Sequence, residues 1–147
     1  MDEFNLERFL EAQIFTYEAA MNELSQGKKT GHWIWYIFPQ IEGLGSTDMT
    51  KLFSIKSTQE ASAYLKHPIL GKRLVESCEI LLNLDATSIS EVMGFPDDLK
   101  LRSSMTLFEY VSEPKSIFKK VLMRYFDNDL DKASLEIIKV ISDNELS

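Results

Sequence analysis

The chain is 147 residues long, 44% hydrophobic and 11% aromatic, which is enough apolar material to fill one core and too much for a disordered chain. Its 16 basic and 23 acidic residues give a net charge of -7, which argues against nucleic acid or an anionic membrane as a partner. Cys78 is the sole cysteine, so neither an internal disulfide nor a cysteine-based zinc cluster is expected. The opening "MDEFNLERF" has no basic region followed by an apolar one, and no apolar run reaches membrane-spanning length. A cytoplasmic protein is the expectation.

In chain order, Asn5 can cap a helix beginning at Leu6. Leu6, Leu10, Gln13, Tyr17, Ala20 and Leu24 then repeat in steps of three and four until Gly27 stops the pattern. Gln13 interrupts this apolar stripe. It reads either as a core glutamine bonded to a nearby loop backbone or as a ligand contact, because a buried amide must find partners. Ser46, Thr47 or Asp48 can cap a short helix through Phe53, and Ser57 with Glu60 has the spacing of a capping box for a helix through about Lys66. Pro68 suits a first helical turn ahead of Leu70, Leu74, Cys78, Leu81 and Leu82, and His67 before it is pushed toward an extended conformation. Cys78 falls on the apolar face and reads as a buried thiol.

Ser88 and Glu91 repeat the capping-box spacing before a one-turn helix ended by Gly94. Pro96, Asp97 and Asp98 favour the start of another, with Leu101, Met105 and Phe108 facing inward. Pro114 opens a helix carrying Ile117, Phe118, Val121, Leu122, Tyr125 and Phe126, and Asp131 can cap a last one with Leu135, Ile138 and Ile141. No segment alternates with period two and no linker divides the chain. Residues 1–147 are therefore expected to form a single all-α domain of about seven or eight helices, several of them short.

Three stretches carry candidate chemistry. In "HWIWYIFPQ", Trp33, Trp35 and Phe38 read chiefly as core, with residues 33–38 either helical or extended; one ring can still line a cleft that has His32 and Gln40 at its ends. In "EGLGS", Gly43 and Gly45 allow backbone conformations closed to other residues, just before Ser46. Free N–H groups there suit an anion, although turn and cap chemistry explains the same residues. In "DDLKLRSS", Asp97, Lys100 and Ser104 lie along one helix flank with Ser103 beside them. That flank reads as solvated surface, as Lys100 or Arg102 charge for an anion with serine hydrogen bonds, or as a lysine-activated serine. The two histidines are far apart, so no metal or other cofactor is expected.

The motifs "GKKTGHWIWYIFPQIEGLGS", "EASAYLKHPILGKRL" and "PDDLKLRSSMTLF", with "FLEAQ" before them and "VLMRYFDN" after, resemble the bacterial family called domain of unknown function 1810. The resemblance runs from about Phe9 to the last helix, and Phe53 stands where members often show tyrosine. It implies a compact, mainly α-helical domain and no particular activity. Members often carry the label calpastatin, but calpastatins are disordered inhibitors with repeats, unlike this aromatic, densely capped chain.

The functional expectation is a cleft for a small anionic metabolite, nucleotide-like in one version. Its wall would draw on Gln13, His32, Trp33 or Trp35, Gln40, Gly43, Gly45, Ser46, Lys100, Ser103 and Ser104. An enzyme on such a metabolite would use His32 as acid–base group, while an interaction module would expose Trp33 and Trp35 as a hot spot. Oligomeric state is not readable from the sequence.

Overall fold

The computed structural model describes residues 2–86 and 88–146. Among these residues there are ten α-helices and no strand, seven of the helices having seven residues or more. The count exceeds the expected seven or eight because the first helix is broken and because part of the aromatic stretch is helical. The pieces are α1 (Glu7–Gln13), α2 (Tyr17–Ser25) and the four-residue α3 (Ile34–Ile37).

Asn5 does not cap α1. It sits at φ 52°, and the Asp2 carboxylate takes the free N–H groups of Leu6 and Glu7 at 2.8 and 2.9 Å. The bonds from Glu7 and Leu6 hold the Asp2 carboxyl below its ordinary range. Between α1 and α2 the Thr16 backbone leaves the helical region at φ -124°, and its hydroxyl donates to the Ala12 carbonyl at 2.6 Å. Ile14 and Phe15 are thereby turned to solvent.

The next helices are α4 (Asp48–Phe53), α5 (Thr58–Lys66) and α6 (Leu70–Asn83). Thr47 is the cap of α4, accepting the Thr50 N–H at 3.2 Å. Ser57 caps α5 through the Glu60 N–H at 3.0 Å. Glu60 does not close the box, however. Its carboxylate takes the Lys56 N–H at 3.0 Å and pairs with Arg8 at 2.6 Å. Arg8 spends its remaining donors on the carbonyls of Phe4, Asn5, Leu52 and Ser54, so this nearly buried charge is satisfied and ties α1 to α4 and α5. Pro68 lies just outside α6, and His67 Nδ1 accepts the N–H groups of Ile69 and Leu70 at 3.1 and 3.2 Å.

The chain ends with α7 (Ile89–Met93), α8 (Asp97–Tyr110), α9 (Ile117–Phe126) and α10 (Lys132–Leu146). Gly94 ends α7 at φ 78°, a conformation costly for any residue with a Cβ. Ser88 gives α7 no side-chain bond. Ser116, rather than Pro114, starts α9 by accepting the Lys119 N–H at 3.3 Å. Asp131 caps α10 through the Ser134 N–H at 3.0 Å.

Helix α8 is the axis of the molecule, packing against α3, α5, α7, α9 and α10. Leu101, Ser104, Met105, Thr106, Leu107 and Phe108 are all fully buried on it, so it is enclosed around most of its girth, as expected of a helix without one polar face. A series of touching rings crosses the core. Tyr36 meets Phe53 at 5.2 Å, Phe53 meets Phe9 at 5.8 Å, and Phe9 stands edge-on to Tyr64 at 5.1 Å. Tyr64 then meets Phe108 at 5.4 Å, and Phe108 meets Phe118 at 5.7 Å. These separations are the favoured range for aromatic pairs, and the series joins α3, α4, α1, α5, α8 and α9. Cys78 is fully buried with its sulfur 3.6 Å from that of Met105, and burial pushes its thiol pKa up.

Outside the helices, Ile41 and Ile55 form a parallel bridge. Ile55 N–H donates to the Gln40 carbonyl and Glu42 N–H to the Ile55 carbonyl, both at 2.8 Å. This bridge fixes the base of the loop that carries Gly43, Gly45 and α4.

Candidate functional site

The loop after α3, one flank of α8 and the start of α10 enclose a crevice of about 220 Å³. Gln40, Leu44, Gly45 and Thr50 line it on one side, Leu99, Lys100 and Ser103 on the second, and Asp131 with Ala133 on the third. A narrow notch adjoins it, lined by Trp35, Ile41, Phe53 and Ser54 and sharing Gln40 and Thr50.

The charges at the crevice are held in place from behind. Lys100 Nζ lies 3.5 Å from Asp97 Oδ1 and 5.4 Å from the centre of the Trp35 ring. Asp97 Oδ2 is 2.6 Å from Lys29 Nζ, whose side chain is only 5% exposed. Lys29 also donates to the Gly31 carbonyl at 2.5 Å and lies 5.0 Å from the centre of the Trp33 ring. The Trp33 indole N–H in turn donates to Glu23 Oε1 at 3.0 Å, beside the N–H groups of Thr30 and Gly31 at 2.7 Å each. Burial pushes the Glu23 carboxyl up, but these donors outweigh it and the net shift is downward. On the other side, Asp131 Oδ2 accepts from Ser134 N–H and Oγ, while Oδ1 faces Arg102 at 3.7 Å.

Of the residues singled out from the sequence, Gln40, Gly45, Lys100 and Ser103 meet at this crevice, and Trp35, half-buried, lines the adjoining notch. The others lie elsewhere. Gln13 is 1% exposed; its amide nitrogen donates to the Tyr36 carbonyl at 2.8 Å and the Tyr64 hydroxyl at 3.3 Å. Trp33 is core at 3% exposure. His32 is exposed and does not line the crevice. Gly43, at φ 111°, and exposed Ser46 belong to the same loop without facing the space. Ser104 is fully buried inside α8, and its hydroxyl has no hydrogen-bond partner among the described residues.

The serine flank of α8 is thus not the solvated surface that its polarity suggested. The Ser103 hydroxyl donates to the Leu99 carbonyl at 3.1 Å, and Ser104, the serine four residues after Lys100, is fully buried. Small hydroxyl side chains satisfied by their own helix allow neighbouring elements to come close. Among the described residues no group of three histidine, cysteine, aspartate or glutamate side chains is placed to hold a metal ion, and no helix is long and apolar enough to cross a membrane.

Asp131, Thr50, Leu44, Leu99 and Ala133 were not foreseen as crevice residues. Asp131 was legible only as a helix cap. Its second role depends on where α10 begins relative to α8, which no local pattern reports.

An all-helical domain with a small crevice beside its central helix defines the structural class, and the family follows from its matching segment. The chain belongs to the family described as Protein of unknown function (DUF1810), whose model matches residues 3–138. It is similar to the crystal structure of the conserved hypothetical protein Rv1873 from Mycobacterium tuberculosis. The two share 40% identity over 94% of this chain and 99% of that one, with a TM-score of 0.92. Among curated proteins, none matches the chain.

Proposed function

We propose that the protein binds a small polar metabolite with an anionic group in the crevice beside α8. The observation that carries this reading is the meeting of Gln40 and Gly45 with Lys100 and Ser103, two segments far apart in sequence, around one 220 Å³ space. Sites for drug-sized ligands begin at about 300 Å³, so a whole nucleotide is too large and a compact metabolite fits. Lys100 supplies charge to an anion, and Gln40 and Ser103 supply hydrogen-bonding groups.

The rival readings have less support. An acid–base role for His32 would need it at the crevice, and it is exposed outside the lining. A tryptophan hot spot would need exposed rings, whereas Trp33 is buried and Trp35 is half-buried beneath Lys100.

Thermal unfolding with organic acids, phosphorylated metabolites and amino acids tests the proposal. A ligand at a hundredfold excess over its Kd stabilises the native state by about 2.7 kcal/mol. The expected result is a raised Tm with at least one compound, lost in Lys100→Met and in Gln40→Leu. No shift with any compound, or a shift unchanged in both variants, overturns it.

A further inference from the structure

The residues lining the crevice include one lysine and one aspartate, on different elements. Lys100 projects from α8 and Asp131 from the cap of α10, so the lining is formally neutral although the whole chain carries -7. Both groups keep hydrogen-bonding capacity. Lys100 makes no hydrogen bond among the described residues, its Asp97 partner standing at 3.5 Å. Asp131 spends Oδ2 on Ser134, but among the described residues Oδ1 has only Arg102, at 3.7 Å. A bare anion would gain from Lys100 and be repelled by Asp131, and a bare cation the reverse. A ligand with one charge of each sign, turned the right way, gains from both.

Resting on the reading of the crevice as the binding site, we propose that its ligand is a small zwitterion with the charge pattern of a free α-amino acid. The carboxylate lies toward Lys100 and the ammonium toward Asp131 Oδ1. Gln40 and Ser103 lie on the same lining and give polar contacts to the ligand's side chain. The volume of about 220 Å³ suits a compact amino acid.

Isothermal titration with L-serine, L-asparagine and L-glutamate, each against the hydroxy acid that replaces its ammonium by hydroxyl, is the test. At least one amino acid should bind about tenfold or more tightly than its hydroxy acid, the worth of one charge-assisted hydrogen bond. Asp131→Asn keeps a good helix cap and should bring the pair to near-equal affinity, with thermal unfolding showing that the fold is retained. Lys100→Met should weaken amino acid and hydroxy acid together. If the hydroxy acids bind as well as the amino acids, or if Asp131→Asn leaves the preference intact, the zwitterion proposal is overturned while the crevice stands as a site. If none of the six binds but another compound gives a shift sensitive to Lys100 and Gln40, the proposal falls and the site again stands. No binding by any compound removes both.

Discussion

Half-buried Arg73 reaches buried Gln13, a guanidinium N–H donating to the amide oxygen at 3.1 Å. The same arginine covers the Tyr17 ring at 4.6 Å, and the Tyr17 hydroxyl donates to Glu76 at 2.8 Å. The one polar intruder in the first apolar stripe is therefore the junction between α1, α3, α5 and α6. Gln13→Leu keeps the bulk but strands the Tyr36 carbonyl and an Arg73 donor. It should destabilise the protein by about 1 to 3 kcal/mol, read from urea unfolding. An unchanged midpoint would mean that water replaces the amide without loss.

Lys29 and Asp97 give a second expectation. With the Lys29 side chain 5% exposed and its counter-ion at 2.6 Å, Asp97→Asn leaves a nearly buried ammonium without compensating charge. Breaking such a pair from one side costs roughly 3 kcal/mol. Lys29→Met keeps the aliphatic stem beside Trp33 and removes the charge to be compensated, so it should cost clearly less. Urea unfolding of the two variants compares them directly, and equal losses would contradict the asymmetry.

Close approach makes Gly71 a sharper test. A Cβ at this position would lie 2.0 Å from the Leu65 carbonyl oxygen, and a backbone atom cannot turn aside as a side chain can. Gly71→Ala should cost roughly 3 kcal/mol, the upper part of the range for overpacking, and lower the Tm accordingly. Gly27 has no atom within 4 Å of such a Cβ, so alanine there meets only the penalty of its φ of 74°.

Glu23 should give the stability an acid limb. Its folded pKa lies below the ordinary value of 4.5. The stabilisation it provides is then fully present above pH 4.5 and is lost as the pH falls through the folded value. Glu23→Gln should flatten the slope of stability against pH on the acid side. Chemical unfolding in acetate buffers measures it, and an unaltered slope would exclude Glu23 as its source.

Much of the helical frame was legible because local chemistry sets it. Gly27 and Gly94 as stops, and Ser57 and Asp131 as caps, were readable from residue type and spacing, while Thr47 was one of three candidate caps for α4. The break at Ile14–Thr16 was hidden because Leu10, Tyr17 and Ala20 keep helical spacing across it, while the residues that depart lie off the stripe. Glu60 shows a different limit. Its distance from Ser57 foretold a capping box, but Arg8, 52 positions away, takes one carboxylate oxygen, and Lys56 the other. At the crevice, Gln40, Gly45, Lys100 and Ser103 stood out as polar or small residues in apolar company. His32 stood out equally and faces solvent, because composition marks a polar residue without giving its direction.

The Ile41–Ile55 bridge separates two kinds of sequence change. It is a clamp of two backbone hydrogen bonds, and between its jaws run Leu44, Gly45 and Thr50, which form one wall of the crevice. Loop closure grows costlier only slowly with length, by about 0.6 kcal/mol for each doubling. Lengthening or rewriting the chain between the jaws therefore reshapes that wall at small energetic expense, provided Phe53 keeps its place among the core rings and the Leu52 and Ser54 carbonyls keep theirs on Arg8. The opposite wall has no such latitude, since α8 is packed on most sides. Divergence in the shape of the crevice would accumulate on the loop, while the α8 face stayed constant.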